Sequence, residues 1–192
     1  KYFDRNFIDI GSKEKLKFLK KNSYIIQNKC FFLDRDGVVN KECGYITKFK
    51  SFIFLKGVGS AIKYLNKRGY LVIIITNQAA IGKGIITESK LHKIHSKMRD
   101  KLYINNGGSI DDIFYAPYYK NSKNLKYTKN LYDRKPNPGM FLKAKKKWNI
   151  DLSNSFFIGD KLSDKIAAKR IKLKFYYKNE FSLYKQIKSI IK

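Results

Sequence analysis

Two carboxylates two residues apart, Asp34 and Asp36, stand where the apolar run Cys30-Phe31-Phe32-Leu33 breaks at Gly37. Neighbouring carboxylates repel, so a cation belongs beside them. A magnesium ion, which takes oxygen ligands, suits that place. A carboxylate can also attack phosphorus and carry the phosphoryl group. A second carboxylate can then protonate the departing oxygen and later take a proton from water. A calcium-type surface turn, or a strand end closed by Asp, would present a similar pattern.

Three other stretches have the chemistry to complete such a site. Thr76-Asn77-Gln78 follows a second apolar run. A hydroxyl and free backbone N–H groups at a strand end can hold phosphate oxygens, although Thr-Asn is also ordinary turn chemistry. Arg134-Lys135-Pro136 precedes a proline-led segment with helical spacing. A fixed Lys there could neutralise phosphate and nucleophile together, and the Arg could grip a second anion with two parallel bonds. In a chain with 42 Lys plus Arg, only its position lifts this pair above background. Ile158-Gly159-Asp160-Lys161-Leu162-Ser163-Asp164 repeats the pattern of apolar run, glycine and acids. Asp160 would complete the cation site or else cap a helix. Asp164 is better placed to brace the loop or the Lys than to bind metal.

The elements that must position these groups alternate from Lys29 onward. Strands are expected over 30–33, 71–75, 113–115, 155–158 and 173–177. Helices are expected over 58–67, 87–103, 138–148, 162–170 and 183–191, with a long polar loop at 117–137. The 87–103 helix carries Leu91, Ile94, Met98 and Leu102 on one stripe. Alternation of this kind predicts an α/β fold, a Rossmann-like parallel sheet with helices on both faces. Such sheets bind ligands at the carboxyl ends of strands, beside the point where strand order reverses. Asp34, Thr76 and Asp160 all fall at predicted strand ends.

The 192 residues fit one domain, and 43% hydrophobic with 15% aromatic content supports a packed core. No apolar run reaches the roughly 18 residues a membrane span needs, and residues 1–10 lack the apolar centre of a secretory signal. The net charge of +27 would suit nucleic acid or an anionic membrane. Lys, Asn, Ile and Tyr are over-used throughout, however, which fits a bias toward A/T-rich codons, so neither partner is expected. The charge would still draw in small anions, screened beyond about 8 Å at physiological salt. Cys30 and Cys43 make no disulfide framework, and a cytoplasmic monomer is expected. Residues 1–27 read as a separate extension or linker, and the chain does not begin with Met, as a fragment or processed product would not.

In this order and spacing, the four stretches resemble the motifs of the haloacid dehalogenase superfamily, over about residues 29–177. No segment is long enough for a large cap domain, so the resemblance implies a capless member. The finer resemblance is to the D-glycero-D-manno-heptose 1,7-bisphosphate 7-phosphatase family. It rests on Phe32-Leu33-Asp34-Arg35-Asp36-Gly37-Val38-Val39-Asn40, Glu42-Cys43-Gly44-Tyr45, the Thr76–Gly84 stretch, Arg134-Lys135-Pro136-Asn137-Pro138-Gly139-Met140, and Gly159-Asp160-Lys161 through Asp164. The resemblance implies Asp34 as nucleophile and Asp36 as acid and base, with Thr76 and Lys135 holding the transferring phosphoryl group. It implies Arg134 on the other phosphate of a sugar bisphosphate. Lys161, the Glu42, Cys43, Gly44 and Tyr45 loop, and Asn77, Gln78 and Ala79 would complete the pocket. Magnesium would sit on Asp34, the Asp36 carbonyl and Asp160.

One departure bears on specificity. The family usually carries a zinc loop, but Ala116, Tyr118, Leu131 and Asp133 stand at its ligand positions. Zinc is therefore not expected, and Tyr118, Tyr119, Tyr127 and Tyr132 are expected to order the loop instead. Histidinol phosphate or a nucleic-acid 3′-phosphate are alternative substrates within the same branch. A basic nucleic-acid-binding module with a vestigial site is an alternative of another kind, against which the intact motifs argue. Residues 3–12 resemble the tail of the catalytic domain of sugar nucleotidyltransferases, which implies fusion to such an enzyme.

Overall fold

The run Cys30–Leu33 has no polar residue, so it can be a strand only where both faces are covered. The computed structural model, which describes residues 12–14, 17 and 27–191, buries all four as β1. Residues 3–11 of the stretch resembling a nucleotidyltransferase lie outside the described residues, and of 13–21 only Lys13, Glu14 and Lys17 are described. β2 (Leu71–Asn77), β3 (Asp112–Ala116), β4 (Phe156–Gly159) and β5 (Lys174–Tyr177) complete one sheet of order β3-β2-β1-β4-β5. Every pairing is parallel, with Leu33 opposite both Ile74 and Ile158.

Successive strand residues face opposite sides, which divides the core in two. Phe31, Leu33, Val72 and Ile74 pack with α1 (Val58–Lys67), α3 (Glu88–Asn106) and α6 (Leu183–Ile190) through Ile62, Leu65, Leu91, Met98 and Ile187. Phe32, Leu71, Ile73 and Ile75 pack with α4 (Gly139–Trp148) and α5 (Leu162–Arg170) through Phe141, Ala144, Ala167 and Ala168. This is the expected α/β sheet covered on both faces. From β1 the chain builds outward to β2 and β3, then returns past β1 to add β4 and β5. Strand order therefore reverses between β1 and β4, and the Asp34 N–H donates across that seam to the Ile158 carbonyl at 3.0 Å.

Several element bounds shift by one residue from those expected, and three differences are larger or bear on the site. β2 runs on through Thr76 and Asn77, because both still pair with Tyr115 and Ala116. A short helix, α2 (Ala79–Gly82), follows Gln78. The α3 helix continues to Asn106 and stops at Gly107, which takes the left-handed conformation that glycine tolerates at a helix end. Its start is as expected, with Thr87 Oγ1 accepting from Lys90 N–H. Within 117–137 the chain forms two single turns of 3-10 helix, Leu125–Tyr127 and Leu131–Asp133. No helix among the described residues is long and apolar enough to cross a membrane.

Candidate active site

Asp34 directly follows β1 and is 6% exposed. Lys135 comes in ahead of α4, is 3% exposed, and sets its Nζ 3.0 Å from Asp34 Oδ2 and 2.7 Å from Asp164 Oδ1. The same ammonium donates to the Ile75 carbonyl at 2.9 Å. Burial alone would favour a neutral amine, but Asp34 and Asp164 outweigh it and raise the Lys135 pKa. Burial pushes the Asp34 carboxyl up to about 7 against the pull of Lys135, and Asp164 adds to the rise.

Asp160 joins the group from the end of β4. One carboxylate oxygen each from Asp34, Asp160 and Asp164 lie within 4.8 Å of one another, and the Lys135 ammonium pairs directly with two of the three acids. Asp164 spends its oxygens on the protein: Oδ2 accepts from the Asp160 and Lys161 N–H groups at 3.1 and 3.0 Å, and Oδ1 meets Lys135. Asp160 Oδ1 is buried with no hydrogen-bond partner, and Asp164 Oδ1 is likewise without one apart from its ion pair with Lys135. A buried acceptor without a donor is costly, and a divalent cation between Asp34 and Asp160 would satisfy it. The residues thus fit a metal with oxygen ligands. Gly37 makes the closeness possible. It has φ +81, and a Cβ there would lie 2.2 Å from Asp160 Oδ2.

Asp36 shares this mouth but faces another way. Its oxygens accept from Arg35 Nη2 at 2.9 Å, Asn40 Nδ2 at 2.9 Å and Gln78 Nε2 at 3.0 Å. Gln78 Nε2 also donates to Thr76 Oγ1 at 2.9 Å, tying the ends of β1 and β2 together. The Asn77 amide is turned to the backbone of Lys135, donating to its carbonyl and accepting from its N–H, both at 3.0 Å. Asn77 thus places Lys135 through its side chain. Ala79 begins α2 just beyond.

The remaining expected residues form the rim. Glu42 Oε2 pairs with Lys161 Nζ at 2.7 Å, and Glu42 Oε1 accepts from the Gly44 N–H. Cys43 is exposed, with its thiol directed at the Lys41 and Ser51 carbonyls. The Arg134 guanidinium is half-buried and donates to the Tyr118 carbonyl at 3.3 Å. Burial lowers its pKa while the neighbouring Tyr45 opposes that shift. Lys83, part of the Thr76–Gly84 stretch but not among the residues expected in the pocket, lies between the Tyr45 and Tyr119 rings, 5.3 and 4.7 Å from their centres. Of the tyrosines expected to order the 117–137 loop, Tyr132 does not: it is 58% exposed. Its turn directs Asp133 inward to pair with Lys143 instead.

Arg35 and Asn40 were legible only as members of the first motif, and their hold on Asp36 was not. Beneath them lies His95, whose Nε2 is 3.1 Å from Arg35 Nη1. Arg can only donate, so Nε2 accepts and the ring proton sits on Nδ1. Its sequence signal was a titratable residue on the apolar stripe between Leu91 and Met98. Burial, then the nearby Arg35, lower the His95 pKa to about 3. Between pH 6.5, the ordinary value, and about 3, the unfolded chain takes up a proton that the folded chain refuses. Stability therefore falls as pH drops through that window. Urea titrations at pH 7 and pH 4 should show an acid-driven loss about ten- to hundredfold smaller in the unfolding constant for His95→Gln than for wild type. Equal losses in the two proteins would refute this assignment.

A parallel sheet that gathers acids, a hydroxyl and a buried ammonium at its switch point defines a phosphatase of the haloacid dehalogenase class. Structural comparison agrees. A D,D-heptose 1,7-bisphosphate phosphatase from B. bronchiseptica, complexed with magnesium and phosphate, superposes with a TM-score of 0.71 at 26% identity, covering 85% of this chain and 98% of that one. The chain belongs to the polynucleotide kinase 3 phosphatase family, which matches residues 29–183, and to the family of the D-glycero-D-manno-heptose-1,7-bisphosphate 7-phosphatases. It is 39% identical over 140 residues to such a phosphatase named for the β anomer from Haemophilus ducreyi, covering 73% of this chain and 76% of the relative. It is 40% identical over 142 residues to one named for the α anomer from Photorhabdus laumondii, covering 74% and 77%.

Proposed function

We propose that this chain hydrolyses the 7-phosphate of D-glycero-D-manno-heptose 1,7-bisphosphate through a phosphoenzyme on Asp34, acting in the cytoplasm. The observation that carries the reading is Lys135 held between Asp34 and Asp164, beside the unpartnered Asp160 oxygen.

An Asp34 oxygen attacks phosphorus, and the bond from phosphorus to the C7 oxygen breaks. Asp36, protonated, turns from Arg35 and Gln78 to give that oxygen its proton. The resulting Asp36 carboxylate takes a proton from water, whose oxygen attacks phosphorus. The bond to Asp34 then breaks and phosphate leaves. Lys135 and Thr76 hold the phosphoryl oxygens, while Arg134 and Lys161 grip the 1-phosphate end of the sugar. Asp34, Asp160 and the Asp36 carbonyl would hold Mg²⁺, which when bound neutralises charge on the phosphoryl oxygens. Protein and metal act mainly by positioning and by meeting that charge.

The test is phosphate release from both anomers of the bisphosphate. We expect rapid turnover with Mg²⁺ and a loss of about hundredfold or more when it is chelated. The family named for polynucleotide kinase 3 phosphatase, together with the charge of +27, makes a 3′-phosphorylated oligonucleotide the comparison substrate. A higher kcat/KM on that oligonucleotide, or on histidinol phosphate, would overturn the heptose assignment.

A further inference from the structure

Residues 117–134 carry Arg134 to the rim, yet apart from two single 3-10 turns they have no regular structure of their own. We infer that Glu88 is a positioning residue that fastens this segment to the first turn of α3 and thereby sets the place of Arg134. The inference rests on the function proposed above for what Arg134 grips, but not for the anchor itself.

Glu88 is the first residue of α3, where the helix dipole favours a negative charge. Its Oε1 accepts from Tyr127 OH at 2.8 Å and from Lys126 Nζ at 2.7 Å, both in the first 3-10 turn. Its Oε2 accepts from Tyr115 OH at 2.9 Å, at the end of β3. His92, one turn further along α3, lies 2.7 Å from that hydroxyl and completes its bonding. The bonds from Lys126 and Tyr127 hold the Glu88 pKa down at about 2, so the acceptor stays ionised at any working pH. Lys126 is largely exposed, so its share of the anchoring is small. The tyrosine bonds are directional and partly sheltered.

The link then runs on toward the site. The Tyr127 carbonyl accepts from the Tyr119 N–H at 2.9 Å. The preceding carbonyl, that of Tyr118, accepts from Arg134 Nη1 at 3.3 Å. The Tyr119 ring also flanks Lys83. One carboxylate on a rigid helix is therefore connected, bond by bond, to the guanidinium that faces the substrate's far end. Removing the carboxylate leaves Asp34, Asp36, Thr76, Lys135 and Asp160 with all their own contacts.

Glu88→Gln, in the full chain, should speed hydrogen exchange at the Tyr119, Tyr127 and Arg134 amides by about tenfold or more, with β1 and β2 amides unchanged. In kinetics, KM for the heptose bisphosphate should rise about tenfold while kcat changes less than about twofold. Turnover of p-nitrophenyl phosphate, which has no second phosphate, should stay at the wild-type level. Tyr127→Phe, which removes one hydroxyl, should move the same quantities by less, and carries the test if Glu88→Gln does not fold. Unchanged exchange over 117–134 would overturn the anchor. So would a parallel fall of kcat on both substrates, which would mean general loss of packing. If wild type does not act on the heptose bisphosphate, the proposed function fails, and the exchange measurement still decides the anchor.

Discussion

In an Asp34→Asn variant, phosphate release is expected to fall by about six orders of magnitude, the scale seen when an enzymatic nucleophile is removed, while the fold is kept. An amide has nearly the shape of the carboxylate but no lone pair basic enough to attack phosphorus. Its carbonyl oxygen can still accept from the Arg35 N–H, which now lies 2.7 Å from Asp34 Oδ1. Lys135 keeps Asp164 and the Ile75 carbonyl as partners. No buried charge is therefore stranded, and thermal unfolding should stay within a few degrees of wild type. Single-turnover phosphate release and a melting curve check both halves. A variant that still turned over at the wild-type rate would remove Asp34 from the reaction.

Lys135→Met should cost both activity and stability, and the contrast with Asp34→Asn is informative. Met fills much of the Lys volume but leaves Asp34, Asp160 and Asp164, within 4.8 Å of one another, without the buried ammonium that pairs with Asp34 and Asp164. Removing one partner from a buried ion pair costs about 3–5 kcal/mol, which for a chain of this size lowers the melting temperature by about 6–20 °C. Excess Mg²⁺ should restore part of that loss, because another cation can sit among the acids. Activity should remain down by about three orders of magnitude, since the phosphoryl oxygens lose a fixed positive group. Differential scanning calorimetry with and without Mg²⁺, alongside phosphate release, separates the two effects. A melting temperature equal to wild type in metal-free buffer would mean that the acids do not depend on Lys135 for neutralisation.

Much of the scaffold could be read directly. The bounds of α1 and α5 match those expected; for α1, apolar spacing and the Arg68-Gly69 stop mark the helix. The errors fell where neighbours decide. β2 is longer than its apolar run because β3 supplies pairing for Thr76 and Asn77, and α2 is too short to show a period. Tyr132 looked like a loop anchor by residue type, yet its turn leaves it in solvent.

The candidate site divides along the same line. By itself, the amino-acid sequence determined which groups stand at or just past strand ends: Asp34, Asp36, Thr76 and Asp160 announce themselves because apolar runs break into acids or a hydroxyl, while Lys135 stood out only as half of a basic pair ahead of a proline-led helix. Which group meets which was decided only by the tertiary structure. Arg35 finds His95 and Lys135 finds the Ile75 carbonyl, each 60 residues away, and Glu88 finds Tyr127 across 39. Local patterning sets backbone conformation and side-chain direction over a few residues. Partners, burial and the resulting pKa shifts depend on how separate segments pack, and no short-range rule contains that information.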